Sequence, residues 1–162
     1  MNEGIPLLVE VDETFPELSI LYRDEELVVI SKPAGLLTHR SALSPDRITV
    51  MSLLRDQLGQ FVYPLHRLDR KTSGVQVFGL SSEAAGVWAQ CFRDSLARKS
   101  YLALVRGWED GEMHRIERAL KYPEVREPKA AVTEYRGIGN VAWPEPFGTF
   151  EEGRFSLIEV WP

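Results

Sequence analysis

The sequence predicts an α+β sheet protein with mixed connections, and three observations carry that expectation. Short apolar runs bounded by turn residues, the mark of strands, recur along the chain. Only two stretches have helical spacing, Val50 to Leu58 and one opening at Ser81 to Glu83 and running to about Ser95. Strands and helices do not alternate regularly, which argues against a parallel βαβ sheet.

Leu18 to Tyr22 and Leu27 to Ile30 are strand-like, with Asp24-Glu25 supplying the turn between them. Lys32-Pro33-Ala34-Gly35 ends the second run, because Pro and Gly punctuate regular structure. Val50, Leu53, Leu54 and Leu58 share a helical face. After the short segment Leu65 to Leu68, Val75 to Leu80 alternates as a strand does. Ser81-Ser82-Glu83 then offers an N-cap hydroxyl and a first-turn acid. In the helix they open, Ala84, Val87, Trp88, Cys91 and Phe92 fall on one face, expected to be the core face. Lys99 to Val105, Ala131 to Arg136 and Arg154 to Trp161 complete the strands, the last two separated by a Pro/Gly-rich loop from Pro144 to Gly153.

A chain of 162 residues suits one domain with a single core. No apolar run approaches the roughly 20 residues that span a bilayer, and residues 1–16 lack a basic region followed by an apolar stretch. Cys91 is the single cysteine, and no Cys/His cluster has metal-ligand spacing. A reducing cytoplasm is the expected compartment. The net charge of −5 is unevenly spread. Residues 1–31 carry one Arg and eight acids, residues 32–106 eleven Lys/Arg and five acids, and residues 107–162 seven and eleven. The middle is a basic block between acidic flanks. Such a block can attract phosphate whatever the global sum, and chance clustering on solvated faces explains it about equally well. Residues 1–17 read as an acidic arm, and residues 18–162 as the folded domain.

The segment richest in chemistry is His66-Arg67-Leu68-Asp69-Arg70-Lys71-Thr72-Ser73-Gly74. Cations around Asp69 favour its ionised form, and an ionised carboxylate on a loop can act as nucleophile or base. The blander alternative, favoured on spacing alone, is an Asp that caps a turn through Thr72 or Ser73 while the basic residues face water.

This nonapeptide resembles the HRLDxxTSG signature of the RluA family of pseudouridine synthases. Leu21 to Glu25 followed by Ser31-Lys32-Pro33-Ala34-Gly35 is similar to that family's first motif, a strand pair ending in KPxG. Lys99-Ser100-Tyr101-Leu102-Ala103-Leu104-Val105-Arg106-Gly107 is similar to its KxYxAxVxG motif. The three stand in family order at family spacing, and the likeness covers nearly all of residues 18–162. Thr38-His39-Arg40-Ser41 and residues 65–82 are closest to members acting on tRNA. The resemblance implies the pseudouridine synthase fold, a mixed, mainly antiparallel β-sheet with flanking helices. It implies isomerisation of uridine in tRNA, with ribosomal RNA as a second candidate, by a cofactor-free, metal-free, monomeric enzyme. Asp69 would be the catalytic carboxylate, and Tyr101 would pack against the target base and take part in proton transfer. Arg67 would help fill the space left by the extruded base and contact phosphate. Arg70, Lys71, Lys32, His39 and Arg40 are the remaining RNA-contact candidates, Lys32 being equally a structural candidate. His66, Thr72, Ser73 and Gly74 would shape the loop that presents Asp69.

In this family a TGRxHQIR-like motif should follow Phe155 to Pro162, and its basic residue pairs with the catalytic Asp. The sequence holds no such motif, so the domain is expected to be incomplete at its C-terminus. Asp69 is then expected on an open surface of a partial sheet with open strand edges. Two readings follow: a tRNA pseudouridine synthase, or an inactive truncated remnant that at most binds RNA weakly. A carboxylate hydrolase of the glycosidase type would need a second placed carboxylate, and Glu25, Glu26 and Asp94 have no motif context for that role.

Overall fold

The computed structural model describes residues 17–40, 47–121, 127–149 and 151–162, so the acidic arm, except Glu17, and Ser41 lie outside the described residues. The chain divides into two compact units, one reaching to Ala97 and the other from Arg98 to Pro162. Where length suggests one core, burial is concentrated in the first unit. Each unit holds a four-stranded sheet, and every strand pair among the described residues is antiparallel, which agrees with the expected α+β, mainly antiparallel class. β2–β4 and β5–β8 pair strands that are not consecutive, so the connections are of more than one kind.

The first unit is built from β1 (Ser19–Arg23), β2 (Leu27–Lys32), α1 (Val50–Leu58), β3 (Tyr63–Pro64), β4 (Gly74–Gly79) and α2 (Ser82–Arg93). Its sheet runs β1-β2-β4-β3. Asp24 closes the first turn as expected, its Oδ1 accepting from the backbone N–H groups of Glu26 and Leu27. The two-residue β3 precedes the irregular Leu65 to Leu68 segment. Val28, Ile30, Gln76 and Phe78 are fully buried on one sheet face, and Val50 and Leu54 of α1 belong to the same core. Thr49 caps α1 through reciprocal bonds with Ser52, and Gly59 ends it in the left-handed conformation.

Ser81 caps α2 as its sequence suggests, accepting from the Ala84 amide at 3.1 Å. The expected core face of α2 is corrected. Ala84 is buried, but Val87 is 68% exposed and Trp88 is exposed too, its indole N–H donating to Glu26. The reason is close approach at Gly79. A Cβ there would lie 3.0 Å from Ala85, so the first turns of the helix set small residues against the sheet and leave Val87 and Trp88 outward, while Cys91 and Phe92 of the expected face are half-buried.

The second unit comprises β5 (Tyr101–Arg106), β6 (Met113–Glu117), β7 (Val132–Trp143) and β8 (Gly153–Trp161), in the order β5-β8-β7-β6. β6 is absent from the sequence reading, and β7 runs seven residues beyond its expected end at Arg136. Buried Ser156 ties the sheet to the turn after β5: its Oγ accepts from the Glu109 amide and has Gly107 O and Asn140 Oδ1 as the two acceptors within reach of its single proton. Leu102, Leu104, Val141 and Trp143 remain exposed. No helix among the described residues is long and apolar enough to cross a membrane.

Two outcomes are expected. Leu54→Ala should destabilise the first unit by about 2–5 kcal/mol through the cavity it opens, read from amide exchange in β2 and β4. In the second unit, the Asp110 carboxylate 2.9 Å from His114 Nε2 raises that imidazole above its ordinary 6.5, outweighing the opposing effect of burial. The pair's contribution is therefore complete below pH 6.5 and is lost as pH rises through the higher folded value. An NMR titration should show the raised midpoint, and Asp110→Asn should bring it down.

Candidate active site

The loop from His66 to Ser73 leaves the short β3 and enters β4, and its polar side chains divide into two sets. Arg67, Asp69, Arg70, Lys71 and Ser73 are exposed, as are His39 and Arg40 on the preceding segment. Beneath them lie Lys32, Thr38 and Gln76, all buried.

Lys32 is the last residue of β2, paired with Gly74 at the start of β4, and it is fully buried. Its ammonium donates to the carbonyls of Thr72 at 2.8 Å, Pro33 at 3.0 Å, Asp69 at 3.2 Å and Arg70 at 3.3 Å. Three N–H donors serving four carbonyls must share, and a neutral amine would leave still fewer donors for the cage. Burial lowers the pKa of Lys32, and the negative charge of Asp69 opposes that shift. Of the two roles open to Lys32 in the sequence, the geometry takes the structural one. An RNA contact is corrected, because a side chain with no exposed surface cannot meet phosphate.

Further bonds fix the same loop. The Thr72 amide donates to Asp69 O at 3.0 Å, closing a turn through the backbone, and among the described residues the Asp69 carboxylate has no hydrogen-bond partner. The carboxylate therefore does not cap Thr72 or Ser73. Arg70 and Gly35 clip together, Gly35 N–H donating to Arg70 O at 2.8 Å and Arg70 Nε to Gly35 O at 3.0 Å. His66 Nε2 accepts from the Val77 amide at 3.2 Å, which leaves the ring proton to Nδ1, and the ring stacks on Phe92 at 4.7 Å. Gly74, at φ +132, makes the bend from loop to strand in a conformation that side-chain-bearing residues rarely adopt. Tyr101 begins β5 in the second unit, half-buried and opposite Val160.

Gln76 and Thr38 are the residues that sequence reasoning missed. Gln76 sits in the alternating run read as a plain strand, yet it is fully buried while Val75 is 57% exposed. The available signal is its spacing. Gln76 lies two residues before Phe78 and so shares the core face, where an unpaired amide would be costly. A cavity of about 1100 Å³ in the second unit is lined by Arg106, Phe147, Arg154 and Glu152 among others, and contains none of the expected site residues.

The arrangement offers an exposed carboxylate on a loop braced from below, with exposed Arg67, Arg70 and Lys71 as its neighbours in the chain. Such a site can hold an anionic polymer while presenting an oxygen nucleophile or base. Among the described residues there is no group of His, Cys, Asp or Glu able to hold a metal ion.

Comparison with known proteins gives this geometry a context. The family model described as RNA pseudouridylate synthase matches residues 26–160. The tRNA pseudouridine synthase C of Haemophilus influenzae is 46% identical over 90% of this chain and 65% of its own. That of Salmonella typhi is 44% identical over 90% of this chain and 60% of its own. The chain thus spans less than two thirds of the length of these curated relatives. Among solved structures, human RNA pseudouridylate synthase domain containing 1 shares the fold, with a TM-score of 0.69 at 24% identity, covering 90% of this chain and 59% of that one.

Lys32→Met would keep the apolar stem but leave the loop carbonyls without their common donor. A loss of about 2–4 kcal/mol is expected from the unsatisfied buried groups, together with faster exchange of the Thr72 amide. Urea titration and exchange measurements check the two effects.

Proposed function

The chain belongs to the RNA pseudouridylate synthase family, and from that premise we propose that it isomerises uridine to pseudouridine in tRNA, with Asp69 as the catalytic carboxylate. The observation that carries the proposal is the exposed Asp69 on a loop held from beneath by Lys32. The substrate class is supported by relatives named for tRNA and by the exposure of Arg67, Lys71, His39 and Arg40.

The reaction breaks the N1–C1′ bond of uridine, turns the base and joins C5 to C1′. N1 gains a proton and the C5 hydrogen departs as a proton, so no redox partner or group donor is required. A carboxylate suits the step because it can stabilise or trap the electron-poor C1′ and then leave. Tyr101 supplies the aromatic face for a base turned out of its stack, and its hydroxyl a route for the proton. Arg67 and Lys71 position the RNA backbone, with Arg70 holding the loop through Gly35. His66, Thr72, Ser73 and Gly74 give the loop its course.

A second reading, RNA binding without turnover, is favoured by the lack of a hydrogen-bond partner for the Asp69 carboxylate among the described residues. Tritium release from tRNA labelled at uracil C5 separates the two. Release by this chain, abolished in Asp69→Asn with the fold intact, is the expected result. No release from a folded sample that retains RNA binding would select the second reading.

A further inference from the structure

We propose that Gln76, acting through Thr38, is a positioning residue for Asp69. Neither side chain is available to RNA: Gln76 is fully buried and Thr38 is 3% exposed. Gln76 Nε2 donates to His66 O at 3.1 Å and to Thr38 Oγ1 at 3.1 Å. The atom facing the His66 carbonyl must be the nitrogen, since a carbonyl only accepts, and this fixes the orientation of the carboxamide. The Thr38 hydroxyl holds one proton and receives the amide; of the two acceptors within its reach, Leu68 O at 3.3 Å is nearer than Gln76 Oε1 at 3.5 Å. The two side chains thereby bind the carbonyls of His66 and Leu68, at the start of the loop and immediately before Asp69.

The relay is anchored at both ends. Gln76 lies in the middle of β4, opposite Ile30 of β2. The carbonyl of Thr38 accepts from Met51 N–H at the first turn of α1, at 3.1 Å. Lys32 holds the loop from Asp69 onward, and Gln76 with Thr38 holds it up to Leu68. Asp69 is the point where the two sets meet. A carboxylate that must approach one sugar carbon gains from such fixing, because small displacements of a reacting group reduce rate steeply. Gln76 acts on chemistry without touching the substrate, and its loss should lower kcat while leaving KM near its original value.

Thr38→Val removes the hydroxyl at nearly constant volume, Thr38→Ser retains it, and Gln76→Met removes the carboxamide. Exchange of the Thr72 and Gly35 amides reports the loop, as these donate to Asp69 O and Arg70 O, while the Leu53 amide in α1 serves as control. Thr38→Val and Gln76→Met should speed exchange at Thr72 and Gly35 about tenfold relative to Leu53, as expected for losing a buried hydrogen bond. They should lower kcat for tritium release about tenfold with KM within threefold, and Thr38→Ser should restore both. Unchanged exchange at Thr72 and Gly35, or equal acceleration at all three amides, would overturn the positioning role. So would a wild-type kcat in Thr38→Val. The kinetic arm rests on the synthase reading, whereas the exchange arm does not. A wild type that exchanges as described but releases no tritium would therefore count against the synthase alone, with positioning decided by exchange.

Discussion

A buried ammonium imposes the main constraint on the site. Lys32 has no exposed surface, and moving a cation out of water is tolerated only where acceptors replace its hydration. The acceptors at hand are main-chain carbonyls, and three of the four belong to residues 69–72. The loop must wrap the ammonium to solvate it, so the position of Asp69 follows from the solvation of a lysine at the end of β2. Strand pairing carries the constraint further, because Lys32 stands opposite Gly74, where the loop rejoins the sheet.

The division between buried and exposed polar groups then sets what each half of the loop can do. Beneath it, donors are matched to carbonyls, and no buried side-chain nitrogen or oxygen among the described residues lacks a partner. Above it, the side chains of Arg67, Asp69 and Lys71 are charged and exposed. Rigidity and adaptability are thus separated within one loop, whose carbonyls meet the buried donors while its charged side chains are exposed. The proposed chemistry needs both, a fixed carboxylate and a surface able to follow an RNA backbone.

Much of the fold was legible because its signals are local. The Asp24 turn, the Val50 to Leu58 helix and the Ser81 cap depend on residues a few positions apart. The face of α2 was not, because it is decided by how closely Gly79 lets Ala85 approach, a contact between elements. β6 was missed for a related reason. Met113, His114, Arg115, Ile116 and Glu117 carry little apolar pattern, and it is pairing with β7 that makes them a strand. At the site, the motif residues could be named in advance, whereas Gln76 could not. Its importance lies in the two groups it meets, the His66 carbonyl 10 residues away and the Thr38 hydroxyl 38 residues away, and spacing along the chain conveys only that it faces inward.

The unequal filling of the two units bears on how the molecule loses its structure. Of the fully packed apolar side chains among the described residues, only Ile158 belongs to the second unit. Its strands are held chiefly by ladder bonds and by Ser156, whereas the first unit has a core shared between sheet and α1. Cooperativity arises where burial couples elements, so heat or denaturant meets two blocks of different resistance. A melting curve that follows total strand signal averages over both, and its midpoint describes neither.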